Sequence, residues 1–454
     1  MAEFSLADIC SATGGETVKV FCKYFNGITT DTRKIEPGNL FLALQGERFD
    51  GHDFVGQAIK DGASGVIVSN ASCVSAEAKV SVIVVSNTLK ALQDLARFHR
   101  LRFNIPIIAI TGSNGKTTTK DMIAAVLNSK YNVLKTEANY NNEIGLPLTL
   151  LNLTDDHEVA IVEMGMRGLG QIRELADIAM PNIAVLTNVG ETHIELLGSV
   201  DNIAAAKSEL VDAISSNGLV VLNADNEYVR TMKEKTEART LFYGIEEKEC
   251  EFSAFNIRQD DNVTTFSVKY QNDIFEVFVP VLGRHNVYNA LAAIAVGFSL
   301  QLSIEEINFG FSNFTASAMR LAVIKTANYT IINDAYNASP LSTEAAIDTL
   351  MQIAKGRKVA VLGDMLELGQ VAVDAHKRIG AKLADLGVEV VVTVGELSRH
   401  TALVAGEGGC KYTKACATHE EARTALEEYL QANDTILIKG SRGMKMEKIL
   451  DMLR

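Results

Sequence analysis

The pattern of apolar and polar positions changes twice along the chain, and each change predicts a new folding unit. Up to about residue 85 the apolar runs are short: NLFLAL and GVIV indicate strands, and HDFVGQAIKDGA between them indicates one helix. Gly62 follows that helix at a point where a left-handed residue commonly ends one. A mostly polar helix near residues 88–102 then leads to Pro106, where a second unit is expected to begin.

From Ile107 onward, short apolar strands alternate with longer amphipathic segments. The strand candidates are IIAI, AIVEM, IAVLTNV and LVVL, and the helix candidates are residues 116–129, 171–179 and 199–215. This alternation is typical of βαβ units and predicts a mostly parallel sheet with helices on both faces. Residues 251–281 differ, because TTFSVKY and IFEVFV alternate with a period of two and predict a small antiparallel ribbon. A helix with an apolar face is expected from about Asn286.

The alternation of strands and helices starts again near Thr315 and predicts a Rossmann-like unit at the C-terminal end. The strand candidates are YTIIND, KVAVLGD, VVVTVG and TILIKG, and the helix candidates are residues 340–354, 371–386, 419–430 and 444–453. The sequence as a whole therefore predicts an α/β protein of three domains. Their expected extents are residues 1–85, 86–314 and 315–454.

Composition and charge narrow the class of protein. A net charge of −13 over 454 residues argues against a nucleic-acid binder, since such proteins depend on a cationic surface. The first residues carry acids where a signal peptide carries Lys or Arg, and apolar runs such as Leu291 to Val296 are too short to span a membrane. The 6 cysteines form no CxxC pair, which favours free thiols in a reducing compartment. We therefore expect a cytoplasmic protein without a membrane span.

The strongest chemical signal is a glycine-rich loop between the strand candidate IIAI and the helix candidate after it. Strand–loop–helix is the setting in which backbone N–H groups and a helix N-terminus hold nucleotide phosphates, so the sequence predicts an ATP site. Ile110 replaces the first glycine of the general Walker pattern, and the match is to a shorter form, TGxNGKTT; a plain helix cap is the alternative. The residues expected to hold the nucleotide are Thr111, Gly112, Ser113, Asn114, Gly115, Lys116, Thr117 and Thr118.

From this loop onward the chain resembles the Mur ligase family, ATP-dependent amide-forming enzymes of peptidoglycan synthesis. The stretches AIVEM, TNVGETHIELLGSVDNIAAAKSEL, GRHNVYNALAA and SAMRL match in order, and the likeness covers nearly the whole chain. The resemblance implies that Lys116 reaches the β- and γ-phosphates, that Thr117 and Glu163 bind one Mg²⁺, and that His193 and a carbamylated Lys207 bind a second. It also implies contacts to the adenine, the phosphates and the ribose of ATP for Asn286, Arg320 and Asp334 respectively.

Each of these assignments has a simpler alternative. Glu163 at a strand end would then be a solvated carboxylate. His193 would be a hydrogen-bonded structural residue, and Lys207 would be a surface charge on an amphipathic helix. Under the resemblance, Lys116, Glu163, His193, Lys207 and Arg320 are the expected catalytic residues. They would neutralise charge while the γ-phosphoryl group of ATP passes to a carboxylate and an amine attacks the acyl phosphate.

Four stretches resemble the family member that adds D-alanyl-D-alanine to a UDP-linked N-acetylmuramoyl tripeptide, and the N-terminal segment resembles a domain that this member shares with the ligase acting before it. ITTDTRKIEPGNLFLALQGERFDGHDF resembles a UDP-sugar-binding N-terminal domain, whereas TEANYNNEIGLPLTLL, DAYNASP, VLGDMLELG and KGSRGMKME resemble that member. The Asp-Asn-Pro-Arg signature of the diaminopimelate-adding member is missing. Ser339 departs from the family's usual Asn-Ala-Asn-Pro, which is expected to alter how the dipeptide is positioned.

The resemblance and the side-chain chemistry together suggest substrate contacts. The expected UDP-sugar contacts are Thr30, Asp31, Thr32 and Arg33, with Arg33 paired to a phosphate. Asn139 and Asn142 are expected to hydrogen-bond the muramoyl peptide, although both are also common turn residues. The expected contacts to D-alanyl-D-alanine are Tyr336, Asn337, Ser339, Lys439 and Arg442. Separate ATP and dipeptide sites would require domain closure, which Arg320 is expected to sense.

Two other functions compete with this interpretation. A ligase similar to folylpolyglutamate synthase would use the same acyl-phosphate chemistry, but it lacks a UDP-sugar domain, whereas here DTRKIEPGNLFLAL precedes the phosphate loop. A nucleotide-dependent switch or binding module would use the fold without forming a bond, and fold alone does not distinguish these. Glu163, His193 and Lys207 would be unnecessary in a passive binder. We expect a monomer that binds small molecules and no nucleic acid.

Overall fold

The computed structural model describes residues 3–46, 49–247, 249–260, 262–317 and 319–453, so the outermost residues of the first and third predicted domains lie outside it. Within these ranges the strands form four sheets, of two, five, nine and six strands. No helix in the same ranges is both long and apolar enough to cross a membrane.

The first hundred residues form a small antiparallel pair of strands and a five-stranded sheet. Their elements are β1 (Glu3–Ser5), α1 (Leu6–Thr13), β2 (Glu16–Lys19), β3 (Tyr24–Asn26), β4 (Ile28–Thr29), β5 (Leu40–Leu42), α2 (Val55–Lys60), β6 (Gly65–Val68), β7 (Ser81–Val84) and α3 (Thr88–Arg100). The larger sheet has the order β2-β7-β6-β5-β4, with only β2 antiparallel to its neighbour.

The expectation of a single helix before residue 85 is wrong, because α1 precedes α2. This helix has only 8 residues, which is too short for a clear periodic signal, and a capping box between Ser5 and Asp8 starts it. Beyond α2, Gly62 has a φ of +110°, in agreement with the predicted left-handed residue.

The central region forms the nine-stranded sheet, in the order β16-β15-β14-β13-β12-β11-β8-β10-β9. Its elements are β8 (Ile107–Thr111), α4 (Lys116–Leu127), β9 (Val133–Lys135), α5 (Gly145–Leu150), β10 (Val159–Glu163), α6 (Gln171–Ala179), β11 (Ile183–Leu186), α7 (Ile194–Leu197), α8 (Val200–Asp212), β12 (Leu219–Asn223), α9 (Glu227–Thr231), β13 (Arg239–Gly244), β14 (Phe252–Asp260), β15 (Val263–Tyr270), β16 (Asp273–Val279), α10 (Arg284–Ser299) and α11 (Ile304–Ser312). The predicted parallel sheet and antiparallel ribbon are confirmed. The ribbon also includes β14, which pairs in parallel with β13 and so continues the main sheet.

The C-terminal region forms the six-stranded sheet, in the order β17-β18-β22-β19-β20-β21, with only β17 antiparallel. Its elements are β17 (Ala322–Lys325), β18 (Tyr329–Asp334), α12 (Pro340–Ile353), β19 (Lys358–Gly363), α13 (Ala372–Asp385), β20 (Val390–Val394), α14 (Arg399–Glu407), β21 (Tyr412–Cys416), α15 (His419–Tyr429), β22 (Asp434–Lys439) and α16 (Glu447–Leu453). Short 3₁₀ turns lie at Thr32–Lys34, Gly51–Phe54, Ala71–Cys73, Met232–Lys235, Gly369–Val371 and Arg442–Met444.

The N-terminal and central regions share one apolar core. Helix α3 packs against α1 on one side and against α5 and α6 on the other. Buried residues of both regions, including Phe4, Leu92 and Leu146, belong to the same cluster. The opposite face of the central sheet is covered by α4, α10 and α11. The N-terminal sheet is therefore fixed to the central one by burial of apolar surface.

Candidate active site

A cavity of about 900 Å³ lies between the central and C-terminal regions. In the parallel register, Glu163 at the end of β10 lies opposite Ile110, and Leu186 at the end of β11 lies opposite Thr111. The loops that follow β8, β10 and β11 therefore start at one edge of the sheet, which is where open α/β sheets bind ligands.

The phosphate loop connects β8 to α4 along this edge. Gly112 has a φ of +153°, and a Cβ there would lie 1.9 Å from Thr187 Oγ1, so no larger residue fits. Gly115 has a φ of +81°, and its Cβ would lie 2.7 Å from Asn289 Oδ1. Thr111 is fully buried, and its hydroxyl donates to the Met164 carbonyl, so it supports the strand from beneath the cavity.

The β11 loop holds the middle of the phosphate loop. The backbone N–H of Ser113 donates to the Asn188 carbonyl over 2.8 Å, and its hydroxyl donates to the Gly190 carbonyl over 3.1 Å. The backbone carbonyl of Asn114 accepts a 2.6 Å hydrogen bond from Thr187 Oγ1. Ser113 to Thr118 all line the cavity.

A threonine and a buried carboxylate meet at the start of α4. Thr117 Oγ1 donates to Glu163 Oε2 over 2.8 Å, and Asn141 Nδ2 donates to Glu163 Oε1 over the same distance. Glu163 is only 2 % exposed, and within the described ranges both oxygens accept hydrogen bonds from neutral donors. Lys116 Nζ donates to the Gly112 carbonyl over 2.7 Å, and burial lowers the pKa of Lys116. The carboxylate is thus buried beside the loop without a hydrogen-bonded cation.

Lys207 faces the same cavity from α8. Its residue exposure is 2 %, and both desolvation and the charge of Lys116 lower the pKa of Lys207 well below its ordinary value. A buried amine that favours its neutral form is a nucleophile rather than a surface charge. The interpretation of Lys207 as a solvated charge on an amphipathic helix is therefore wrong.

His193 stands at the start of α7 with a φ of +59°. Its Nδ1 lies 2.6 Å from Glu367 Oε2 of the C-terminal region, and this contact lowers the pKa of Glu367. Glu367 also has a left-handed backbone, with a φ of +63°. Two non-glycine residues in this sparsely populated conformation meet at the cavity, as is common at functional sites.

The oxygen atoms of Thr117 and Glu163 fit Mg²⁺ only if the nucleotide phosphates and waters supply most of its coordination. In the described ranges there is no group of three or more His, Cys, Asp and Glu side chains placed to hold a metal. Thr117 and Glu163 nevertheless offer adjacent oxygens at the phosphate loop, the ligand type that Mg²⁺ prefers alongside phosphate oxygens and waters. A buried carboxylate with neutral partners is also more stable beside a cation.

Arg320 reaches the phosphate loop from the segment between the central and C-terminal regions. Its guanidinium donates to Thr117 Oγ1 over 3.0 Å and lies 4.1 Å from the centre of the Tyr336 ring. Met319 and Leu321, on either side, have φ values of +61° and +52°. Arg320 therefore lies against the phosphate loop and between two regions, and its contact with the phosphates of ATP stays a prediction.

The C-terminal sheet contributes a charged pair to the cavity wall. β18 ends at Asp334 and β22 at Lys439, and the parallel register places these residues opposite each other. Lys439 Nζ forms an ion pair with Asp334 and donates to the Asn337 carbonyl over 2.9 Å. In this arrangement Lys439 already has a carboxylate partner, whereas it was expected to bind the dipeptide carboxylate.

Not every predicted residue lies at the cavity. Asn139, Asn142, Asn286, Tyr336 and Asn337 line it. Arg442 is exposed and paired with Glu447 instead, and the residues outside the cavity wall also include Thr30, Asp31, Thr32 and Arg33. Arg33 forms a two-bond ion pair with Asp31, which raises the pKa of Arg33.

Sequence reasoning missed several residues of the cavity wall. Asn141 is the amide partner of Glu163, but NYNNE gave no reason to prefer it over Asn139 or Asn142. Asp225 accepts backbone N–H groups of residues 245–247 and the Tyr288 hydroxyl, which requires loops that are distant in sequence. The missed residues include Asn141, Asp225, Tyr243, His285 and Tyr288, of which Asn141, His285 and Tyr288 lie within stretches that carry the family resemblance.

Three family models match consecutive parts of the chain: "Mur ligase family, catalytic domain" over residues 24–100, "Mur ligase middle domain" over 110–297 and "Mur ligase, glutamate ligase domain" over 319–442. The UDP-N-acetylmuramoyl-tripeptide--D-alanyl-D-alanine ligase of Bacillus subtilis is 41 % identical and aligns with 94 % of this chain and 92 % of its own. A crystal structure of MurF from Acinetobacter baumannii covers 100 % of both chains, with a TM-score of 0.92 and 32 % identity.

MurF ligase from Thermotoga maritima, solved in complex with ADP, is 27 % identical with a TM-score of 0.85, and the match covers 94 % of this chain and 96 % of that one. The identity to the Bacillus protein over nearly the full length of both chains is well beyond what a shared fold alone requires. The protein described here therefore belongs to the Mur ligase family.

Proposed function

We propose that this protein joins D-alanyl-D-alanine to a UDP-N-acetylmuramoyl tripeptide, with cleavage of ATP to ADP and phosphate. The observation that carries the proposal is that the phosphate loop, Glu163 and Lys207 line the same cavity as residues of the C-terminal sheet. A full-length relative with 41 % identity bears the name of this reaction, and a structural relative binds ADP.

The proposed chemistry needs positioning and charge neutralisation more than covalent catalysis. The γ-phosphoryl group moves from ATP to the tripeptide carboxylate, so that the β–γ P–O bond breaks and a new P–O bond makes an acyl phosphate. The dipeptide amine then attacks the acyl carbon, and inorganic phosphate leaves as the amide forms. Lys116 and Arg320 would hold the phosphates in line, because two anions must approach each other.

Mg²⁺, when bound, would supply electrostatic stabilisation of the transferred phosphoryl group. Thr117 and Glu163 are the proposed residues for one ion, and His193 and Lys207 for a second. We further propose that Lys207 is carbamylated, since a neutral buried amine can form an N–C bond to CO₂ and, by losing one N–H proton to solvent, become a carbamate anion. After incubation of the protein with ¹³C-bicarbonate, a carbamate carbon NMR signal that is absent in Lys207→Ala would support this modification.

The proposed division of labour follows the predicted domains. Residues 1–85 would bind the UDP-sugar, residues 86–314 ATP, and residues 315–454 the dipeptide. We further propose that the active unit is a monomer. Consumption of ATP would place the reaction in the cytoplasm.

The assay that tests the function is phosphate release from ATP and Mg²⁺ with the muramoyl tripeptide, with and without D-alanyl-D-alanine. We expect release only when both are present, together with a UDP-linked pentapeptide detected by mass. Release with a folate and glutamate would instead support the folylpolyglutamate-type ligase. Nucleotide binding without turnover on either pair would support the binding module.

A second prediction concerns the UDP-sugar end of the substrate. Arg33 is exposed, and Asp31 orients it by accepting from Nε and Nη2 over 2.9 and 2.8 Å, which leaves Nη1 without a partner among the described residues and free to donate to a phosphate. Arg33→Ala is expected to raise the KM for the muramoyl substrate about tenfold, with ADP affinity unchanged. Arg423→Ala, which removes an exposed arginine paired to Glu427, is the matched control. An unchanged KM would contradict the assignment of Arg33.

A further inference from the structure

Ser339, the residue at which the chain departs from the family pattern, contacts the phosphate loop. It is 5 % exposed, and its hydroxyl donates to Asn114 Oδ1 over 2.8 Å. The two residues are 225 positions apart and lie in loops that follow β8 and β18, which are strands of different sheets. The bond therefore exists only when the C-terminal region is packed against the central one.

The Ser339 hydroxyl lies 2.8 Å from Asn114 Oδ1 and 3.0 Å from Ser342 Oγ, so the contact to Asn114 is the shorter of its two donor contacts. Ser339 is the N-cap of α12, and its Oγ accepts the backbone N–H of Ser342 over 3.3 Å. The Ser342 hydroxyl is occupied by the Ser339 backbone, since it accepts the Ser339 N–H and donates to the Ser339 carbonyl. One hydroxyl thus begins a helix of the C-terminal region and holds a side chain of the central region.

On the other side of the bond, Asn114 depends on Ser339 for its side-chain orientation. The Asn114 backbone is fixed by the central region, because its N–H donates to Asn188 Oδ1 over 2.8 Å and its carbonyl accepts from Thr187. The side-chain oxygen is held by Ser339, and within the described residues Asn114 Nδ2 is buried without a hydrogen-bond partner. Loss of the serine hydroxyl would remove the partner of the Asn114 side-chain oxygen, while the buried nitrogen of the same amide is already unpaired among the described residues, which is unfavourable.

We propose that Ser339 is a positioning residue for the nucleotide: its hydrogen bond to Asn114 completes the phosphate loop from the C-terminal region. Nucleotide affinity and docking of the C-terminal region are then linked, because each stabilises the arrangement that the other requires. This inference rests on the proposed function only in that the loop binds ATP or ADP. It assigns Ser339 to the nucleotide rather than to the dipeptide, where the sequence analysis expected it.

The test measures the dissociation constant of ADP for the full chain by calorimetry. Ser339→Gly removes the hydroxyl but leaves a residue that is tolerated at an N-cap, and it is expected to weaken ADP binding about three- to tenfold. Ser339→Thr keeps the hydroxyl and is expected to recover most of the affinity. In an Asn114→Ala background, Ser339→Gly should have no further effect, since the bond is already absent.

The matched control is Thr418→Gly, which removes the N-cap hydroxyl of α15, another helix of the C-terminal region. It is expected to lower the melting temperature as Ser339→Gly does while leaving ADP affinity unchanged. Equal ADP affinities for Ser339→Gly and Thr418→Gly, additive effects in the double variant, or a change confined to the KM for D-alanyl-D-alanine would each overturn the proposal. If the Ser339 and Asn114 substitutions affect ADP affinity independently while the protein still forms the UDP-linked pentapeptide, only this inference is rejected. If their effects on ADP affinity are coupled but no pentapeptide forms, only the proposed function is rejected.

Discussion

Lys207→Ala is expected to lower the rate of amide formation about 10²- to 10³-fold while ADP still binds. Lys207 is buried in the cavity wall beside Lys116, and it does not belong to the loop that holds the nucleotide. Its removal should therefore affect the charge balance during phosphoryl transfer more than nucleotide affinity. Steady-state turnover and the ADP dissociation constant, measured on the same preparation, separate these effects.

The matched control for this variant is Lys235→Ala. Lys235 donates to Ser208 Oγ, next to Lys207 in sequence, but it is not part of the cavity wall. Turnover close to that of the unaltered protein is expected for it. If Lys207→Ala retained turnover, the proposed metal site at Lys207 and its carbamylation would both be rejected, although the phosphate loop assignment would stand.

Glu163→Gln is expected to lower turnover about 10²-fold and to abolish the effect of Mg²⁺ on ADP affinity. The amide has the shape of the carboxylate, and the Thr117 hydroxyl can reverse its hydrogen bond, so the contacts to Thr117 and Asn141 can persist. Only the negative charge is lost. Without Mg²⁺, ADP should bind at least as tightly as before, because a carboxylate near the phosphates has been neutralised.

Calorimetry with and without Mg²⁺ measures this difference, and Glu158→Gln is its control. Glu158 is a carboxylate just before the other end of β10, where it accepts the backbone N–H of Asn132. We expect its substitution to leave the Mg²⁺ effect intact. A persistent Mg²⁺ effect in Glu163→Gln would mean that the ion is held by other groups, and the hydrogen bond from Thr117 would then be structural.

The sequence by itself determined the α/β class, the mostly parallel sheets and the phosphate loop. These features depend on short-range periodicity and on glycine positions, which are local properties of the chain. Gly112 and Gly115 illustrate the point, since both have positive φ values, which favour glycine. Local patterns also placed Glu163 at a strand end, and the strand register then brought it to the loop. Helix α1 was missed because eight residues carry too little periodic signal.

Only the tertiary structure decided how the C-terminal region completes the cavity. The contacts of Arg320 with Thr117, of Glu367 with His193 and of Ser339 with Asn114 join residues far apart in sequence. The roles of such residues depend on packing between sheets, and no local pattern encodes that packing. The pairing of Lys439 with Asp334 is a further example, because it follows from the register of two strands about a hundred residues apart. Burial of Lys207 likewise came from the fold, since the sequence of an amphipathic helix leaves open whether its one lysine faces a cavity or solvent.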